Sequence, residues 1–343
     1  MKHGLVYAPA EEHLEPGHPE NPGRMQAIHS LLDQEGVLNE LEILEPVPAT
    51  YDQLALVHDP EHIEHVERVA LRGGGRFDPD TYCTAESYDL ARIAAGTICE
   101  LTNLILTGQV TSGIGLIRPP GHHAEINRAM GFCLFNNIAI AARHAQQNHN
   151  IERVLLIDFD VHHGNGTQDI FYNDKTVMFV SLHLFSPFFY PGTGAVNEIG
   201  GGEGRGYTIN VPFGVGAGDY WYVRAFSELI RPLADRFQPE LILVSAGFDA
   251  HWIDPLAAAR LSLTGYFQIT RLILEMAHEL SQDRLMFCLE GGYHYEALSI
   301  GVLNVIRALL DIETPIDPLG YSSQPEADMT NLLSQLMKLH LPD

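Results

Sequence analysis

Asp158, Asp160 and His162 stand at alternate positions of the segment Asp158-Phe159-Asp160-Val161-His162-His163-Gly164. On an extended chain this spacing puts the three side chains on one face, where a carboxylate and an imidazole can hold a divalent metal. A second carboxylate from a distant loop, Asp249, completes a three-ligand set that leaves a fourth position for water, as a catalytic zinc requires. Two carboxylates cancel the formal charge of zinc, so its water is less acidic than one held by three neutral histidines and a separate base is needed. His122 and His123 supply it, because the Pro119-Pro120-Gly121 bend breaks the strand and lets both rings face inward. Such an imidazole needs its other nitrogen held, and Asp158 and Asn165 are the candidates. Hydrolysis creates an oxyanion, and Tyr293 on the Gly291-Gly292 turn can bring its hydroxyl toward it. Taken singly, these residues read as a solvated strand end, core histidines and a packing tyrosine. Their shared location is what argues for chemistry.

That location follows from the elements. Short apolar runs bounded by turn residues, at 113–117, 154–157, 177–182, 241–244 and 285–289, predict buried strands. Helical patterns at 87–106, 136–147, 220–237 and 264–280 alternate with them, which predicts a mostly parallel sheet covered on both faces. Nearly every apolar run is followed at once by a loop bearing His, Asp or Tyr, and ligands in open α/β sheets bind outside the carboxyl ends of the strands. Five loops therefore converge on one rim. With no repeat and no long linker, one domain over 1–343 is the simpler reading, and the leucine spacing within 311–343 predicts a C-terminal helix packed on that domain.

Composition narrows the function classes. Lys plus Arg number 20 against 44 Asp plus Glu, a formal charge of −24 that opposes direct binding to nucleic acid. No uninterrupted apolar stretch is long enough to span a membrane, and the start carries no export signal, so a soluble, cytoplasmic protein is expected. Cys83, Cys99, Cys133 and Cys288 form no CxxC pair, which suits a reducing compartment. Oligomeric state stays open, and a homo-oligomer is compatible with the sequence.

The motifs RPPGHHAE at 118–125, MGFCLFNN at 130–137, DFDVHHGNGTQ at 158–168, SLH with YPGTG at 181–194, AGFDAH at 246–251 and LEGGYH at 289–294 resemble, in order, those of the histone deacetylase superfamily. The resemblance runs from about His18 to about Arg307 and is nearer to class II and bacterial members. It implies a single-domain three-layer α/β sandwich, an eight-stranded mainly parallel sheet between helical layers, shared in outline with arginases. It also implies one zinc per chain on Asp160, His162 and Asp249, with His123 as proton shuttle, His122 as electrostatic partner, Asp158 behind His122, Asn165 behind His123, and Tyr293 polarising the acyl carbonyl. Gly131 would receive the substrate amide N–H on its carbonyl, and Phe132 and Tyr190 would wall a narrow tunnel. Potassium would sit on Asp158, Asp160, His162, Ser181 and Leu182, with a second ion on carbonyls near Phe171.

Three positions depart from parts of the family. Asn165 stands where class I members often have Asp, which should make His123 a weaker base. The Asp that grips a peptide backbone in some relatives has no clear match, Asp78 and Asp80 being nearest. Leu256 stands where members specialised for acetylpolyamines can carry Glu. The expected activity is zinc-dependent removal of acetyl or related acyl groups from acyl-lysine. The alternatives are an acetylpolyamine or small-amide hydrolase, a noncatalytic acyl-amine binder, and a two-manganese ureohydrolase.

Overall fold

The computed structural model describes residues 2–341, so the extreme ends of the expected 1–343 domain and of the 311–343 segment lie outside the described residues. Among the described residues, ten strands alternate with helices: β1 Gly4–Ala8, β2 Glu42–Leu44, β3 Gly74–Arg76, β4 Tyr82–Thr84, β5 Gly113–Ile117, β6 Val154–Asp158, β7 Val177–Leu184, β8 Thr208–Phe213, β9 Leu241–Ala246 and β10 Leu285–Leu289. Helices α2 (Tyr51–Leu54), α3 (Pro60–Leu71) and α6 (Asn165–Phe171) lie between these strands together with the larger packing helices. Eight form one sheet in the order β2-β1-β5-β10-β9-β6-β7-β8, and every neighbouring pair is parallel. β3 and β4 make a separate antiparallel hairpin.

Both faces of the sheet are covered, which is why its strands read as continuous apolar runs. In β6, Val154 and Leu156 enter a core shared with α4 (Ser87–Leu106) and α5 (Asn137–His149). Leu155 and Ile157 enter the opposite core, shared with α1 (Gly23–Gln34), α9 (Leu263–Leu280) and α10 (Tyr295–Leu309). The result is a single three-layer α/β domain.

Four differences from the sequence expectation have physical causes. β7 runs on to Leu184, two residues past the expected 177–182, so His183 lies inside the strand rather than at its close. The expected helix over 220–237 is α7 (Asp219–Ala225), a π-helical turn (Phe226–Ile230) and α8 (Arg231–Phe237). Pro232 lacks the N–H that would bond the Glu228 carbonyl, and the helix widens just before it. β8 escapes the apolar-run criterion because it alternates and contains Pro212, which is tolerated on this edge strand. The short edge strand β2 and its neighbour β1 also escape it, since β1 opens on Gly4 at the very start of the chain. The last helix, α11 (Thr330–His340), buries Leu333 and Leu336 in the domain's own core.

Candidate metal centre

The carboxyl ends of β5, β6, β9 and β10 lie side by side, and their loops build one site. Asp158, the last residue of β6, pairs in register with Ser245 of β9 and Ser181 of β7. The chain beyond it stays tight because Asp158 Oδ1 accepts from Asp160 N at 3.1 Å and Asp160 Oδ1 accepts from His162 N at 2.9 Å. Asp249 Oδ1 accepts from Val161 N at 2.9 Å, which fastens the β9 loop onto the β6 loop. One potential ligand atom from each of Asp160, His162 and Asp249 lies within 4.8 Å of the others.

This trio fits a divalent cation. His162 Nδ1 lies 3.2 Å from Asp160 Oδ1 and 3.1 Å from Asp249 Oδ2, and a single N–H satisfies only one of them, whereas a cation at their focus engages all three. Burial pushes the Asp249 carboxyl up to about 7, with the nearby Asp160 charge adding to the rise, so positive charge is what the site lacks. Backbone supports the same focus: Gly291 N donates to Asp160 Oδ2 at 2.8 Å. Any side chain at Gly291 or Gly247 would fall on the carboxylate oxygens of Asp160, and at Gly291 on those of Asp249 as well.

Beside the trio, the His122 and His123 rings stand 4.0 Å apart. His122 Nδ1 meets Asp158 Oδ2 at 2.9 Å, and His123 Nδ1 meets Asn165 Oδ1 at 2.7 Å. Burial lowers both, but for His122 the Asp158 and Asp160 carboxylates outweigh it and hold the imidazole up to about 10. His123, with a neutral partner and the His122 and His162 rings nearby, falls well below the usual range. Asn165 donates its own Nδ2 to Glu125 Oε1 at 2.9 Å, so its oxygen accepts from His123 Nδ1–H and the other ring nitrogen of His123 is the basic one.

A cavity of about 410 Å³ opens over this group, and His122, His123, Gly131, Phe132, His162, Tyr190, Leu256 and Tyr293 all line it. Gly131 and Phe132 both adopt left-handed backbone, φ 56° and 69°, and a side chain at 131 would collide with the His123 ring. For Phe132 this conformation costs about 1–3 kcal/mol. It brings the Phe132 ring to 6.0 Å from Tyr293, nearly perpendicular to it. Tyr190 stands edge-on to His123 at 5.1 Å. Asp158 and Asn165 sit behind the histidines, and Ser181 spends its hydroxyl on His183 Nδ1 at 2.9 Å, with Leu182 fully buried beside it. Of the two mouth carboxylates considered, Asp80 lines the cavity, while Asp78 accepts from the Asp80 and Thr81 backbone.

Sequence reasoning missed several contributors. Phe189 stacks on the His162 ring at 5.0 Å and 4°, a contact hinted at only by the Phe188-Phe189-Tyr190 run. His18 packs edge-on against Phe132 at 4.6 Å. Glu290 accepts from Gly121 N at 2.7 Å and His122 N at 3.2 Å, holding the histidine loop by its backbone. Arg24 donates to the Gly292 carbonyl at 2.7 Å and the Glu290 carbonyl at 2.6 Å, beneath the tyrosine loop. Backbone partners leave no signature in residue spacing.

Residues 18–309 match the model of the histone deacetylase domain. The chain is 40% identical over 354 residues to histone deacetylase 10, chloroplastic, of Oryza sativa subsp. japonica, covering 97% of this chain and 80% of that protein. It is 37% identical over 317 residues to the histone deacetylase-like amidohydrolase of Pseudomonas aeruginosa, covering 92% of this chain and 82% of that one. The crystal structure of the HDA15 HD domain superposes with a TM-score of 0.90 at 35% identity, covering 99% of this chain and 95% of that one.

Proposed function

The chain belongs to the histone deacetylase family and is a hydrolytic deacetylase, and we propose that its reaction is the zinc-dependent removal of acetyl, or a related acyl group, from acylated lysine side chains. The observation that carries this reading is the focus of Asp160, His162 and Asp249 beneath a cavity and beside two imidazoles, one backed by the Asp158 carboxylate and the other by the Asn165 amide. Bound at that focus, zinc supplies a Lewis acid for the acyl carbonyl and makes a bound water more acidic.

The chain's own residues do the rest. His123, neutral and held through Nδ1, takes a proton from the attacking water as the C–O bond forms. Tyr293 donates its hydroxyl to the acyl oxygen as negative charge develops there. His122, kept cationic by Asp158, stabilises that charge through space. As the C–N bond breaks, His123 returns its proton to the departing amine, giving a carboxylic acid and a free amine. Gly131 offers its carbonyl to the amide N–H, and Phe132 and Tyr190 flank the apolar stem.

At the rim, Leu256 presents an apolar edge where a polyamine's distal ammonium would want a carboxylate, which supports acyl-lysine over acetylpolyamine. Potassium on Asp158, Asp160, His162, Ser181 and Leu182 belongs to the same proposal, supported by the register of Asp158 against Ser181. So does a second potassium on carbonyls near Phe171. The net charge of −24 supports a substrate other than nucleic acid, and four free, buried cysteines support a reducing, cytoplasmic setting. No helix among the described residues is long and apolar enough to cross a membrane.

The test is a comparison of kcat/KM for an acetyl-lysine peptide, an acetylpolyamine and a small acetamide, before and after chelation and zinc replenishment. Activity highest on the peptide, lost on chelation and restored by one zinc per chain, is expected. Preference for the polyamine would overturn the substrate, and full turnover without metal would overturn the chemistry.

A further inference from the structure

Asp254 lies in the loop that follows β9, beyond the ligand Asp249, and is only 5% exposed. Its two oxygens serve two loops. Oδ2 accepts from Tyr293 N at 2.7 Å and from His294 N at 3.2 Å, while Oδ1 accepts from Leu256 N at 3.0 Å. The loop is also held at Gly291, whose carbonyl accepts from Phe248 N at 3.1 Å and whose N donates to Asp160 Oδ2, but beyond it Gly292 has φ 117° and no side chain, and α10 begins only at Tyr295. Arg24 braces the other side, donating to the Gly292 carbonyl and lying 5.1 Å over the Tyr293 ring.

We propose that Asp254 is a positioning residue for Tyr293. It sets the reach of the tyrosine hydroxyl into the cavity and locks that loop to the rim segment carrying Leu256. The inference rests on the reading of Tyr293 as the oxyanion donor. Three N–H groups converge on this side chain, and a carboxylate can accept from all of them, whereas the amide of Asn would turn an NH2 toward a donor. Asp254 does not line the cavity, so its effect on catalysis must pass through the backbone it holds. A donor displaced by about 1 Å loses about 10²-fold in rate.

The experiment measures kcat and KM for wild type, Asp254→Asn, Tyr293→Phe and the double variant on an acetyl-lysine peptide, with zinc content and thermal unfolding alongside. Asp254→Asn should lower kcat by about 10²-fold with KM and zinc content unchanged, yet by less than about threefold in the Tyr293→Phe background. Equal losses in both backgrounds would overturn the role of Asp254 and leave that of Tyr293 intact. Full turnover by Tyr293→Phe would instead remove the premise and the proposal with it. Asp254→Ser, which can still accept from one N–H, repeats the cycle if the Asn variant does not fold. Failure of both to fold would make Asp254 a structural residue and sink the positioning role.

Discussion

His122 and His123 are chain neighbours in one buried pocket, yet the balance of forces on them differs: burial and the neighbouring His122 and His162 rings lower His123 against its Asn165 bond, whereas the Asp158 and Asp160 carboxylates outweigh burial at His122. The partner behind each ring is one contributor to that difference, and the one a single substitution can exchange. His123→Ala should lower kcat by about 10²–10⁴-fold and Tyr293→Phe by about 10²–10³-fold, with zinc content and melting temperature unchanged. Asn165→Asp makes a subtler prediction for the pH–rate profile. A carboxylate against Nδ1 raises the His123 pKa, typically by about 1–3 units, so the base stays protonated to higher pH. The acidic limb of kcat/KM should move upward by about a unit or more, and a profile that does not move would show that His123 is not the titrating base.

At the scale of elements, the site is a set of strand ends fastened to each other through backbone N–H groups and close glycine contacts. Gly291 follows β10 by two residues and comes so near Asp160 and Asp249 that a methyl group there would displace a carboxylate. Gly291→Ala should leave the secondary structure intact by circular dichroism but reduce bound zinc well below one per chain. What could be read beforehand follows the same division. The cluster of Asp158, Asp160 and His162 is local, and Asp249, the paired histidines and Tyr293 each follow an apolar run, so their convergence was visible in the sequence. Asp254 and Glu290 act on N–H groups of distant segments, and no residue spacing encodes that. The apolar run at 285–289 marks β10 as a strand, but its place between β5 and β9 depends on long-range pairing. Alternation and Pro212 hide β8.

At the scale of the molecule, the segment before α1 is tied under the active-site loops by a buried charge cluster. Glu20, fully buried, takes Arg118 on both oxygens and Arg24 at 3.1 Å, while Arg118 also reaches the carbonyls of Pro9, Ala10 and His13. Burial pushes the Glu20 carboxyl up, but Arg118 and then Arg24 outweigh it and hold it at about 2, against an ordinary 4.5. A depressed folded pKa contributes stability that is fully present above 4.5 and lost as pH falls toward 2. The difference is worth about 3 kcal/mol. Glu20→Gln should cost about 3–5 kcal/mol at neutral pH, because two guanidinium groups are left buried without their counter-charge. Denaturant midpoints measured from pH 7 down to pH 3 should show the gap between variant and wild type narrowing; a constant gap would refute this assignment.

The sheet order carries a consequence for how the enzyme comes into being on the ribosome. β2, β1 and β5 form one half-sheet and β9, β6, β7 and β8 the other, and within the sheet β10 alone joins them. The histidine pair belongs to the first half and the metal ligands to the second. A nascent chain that has not yet released residues 285–289 therefore exposes two open strand edges and has no working centre, however complete each half is. Catalytic competence arrives with the last strand to be synthesised.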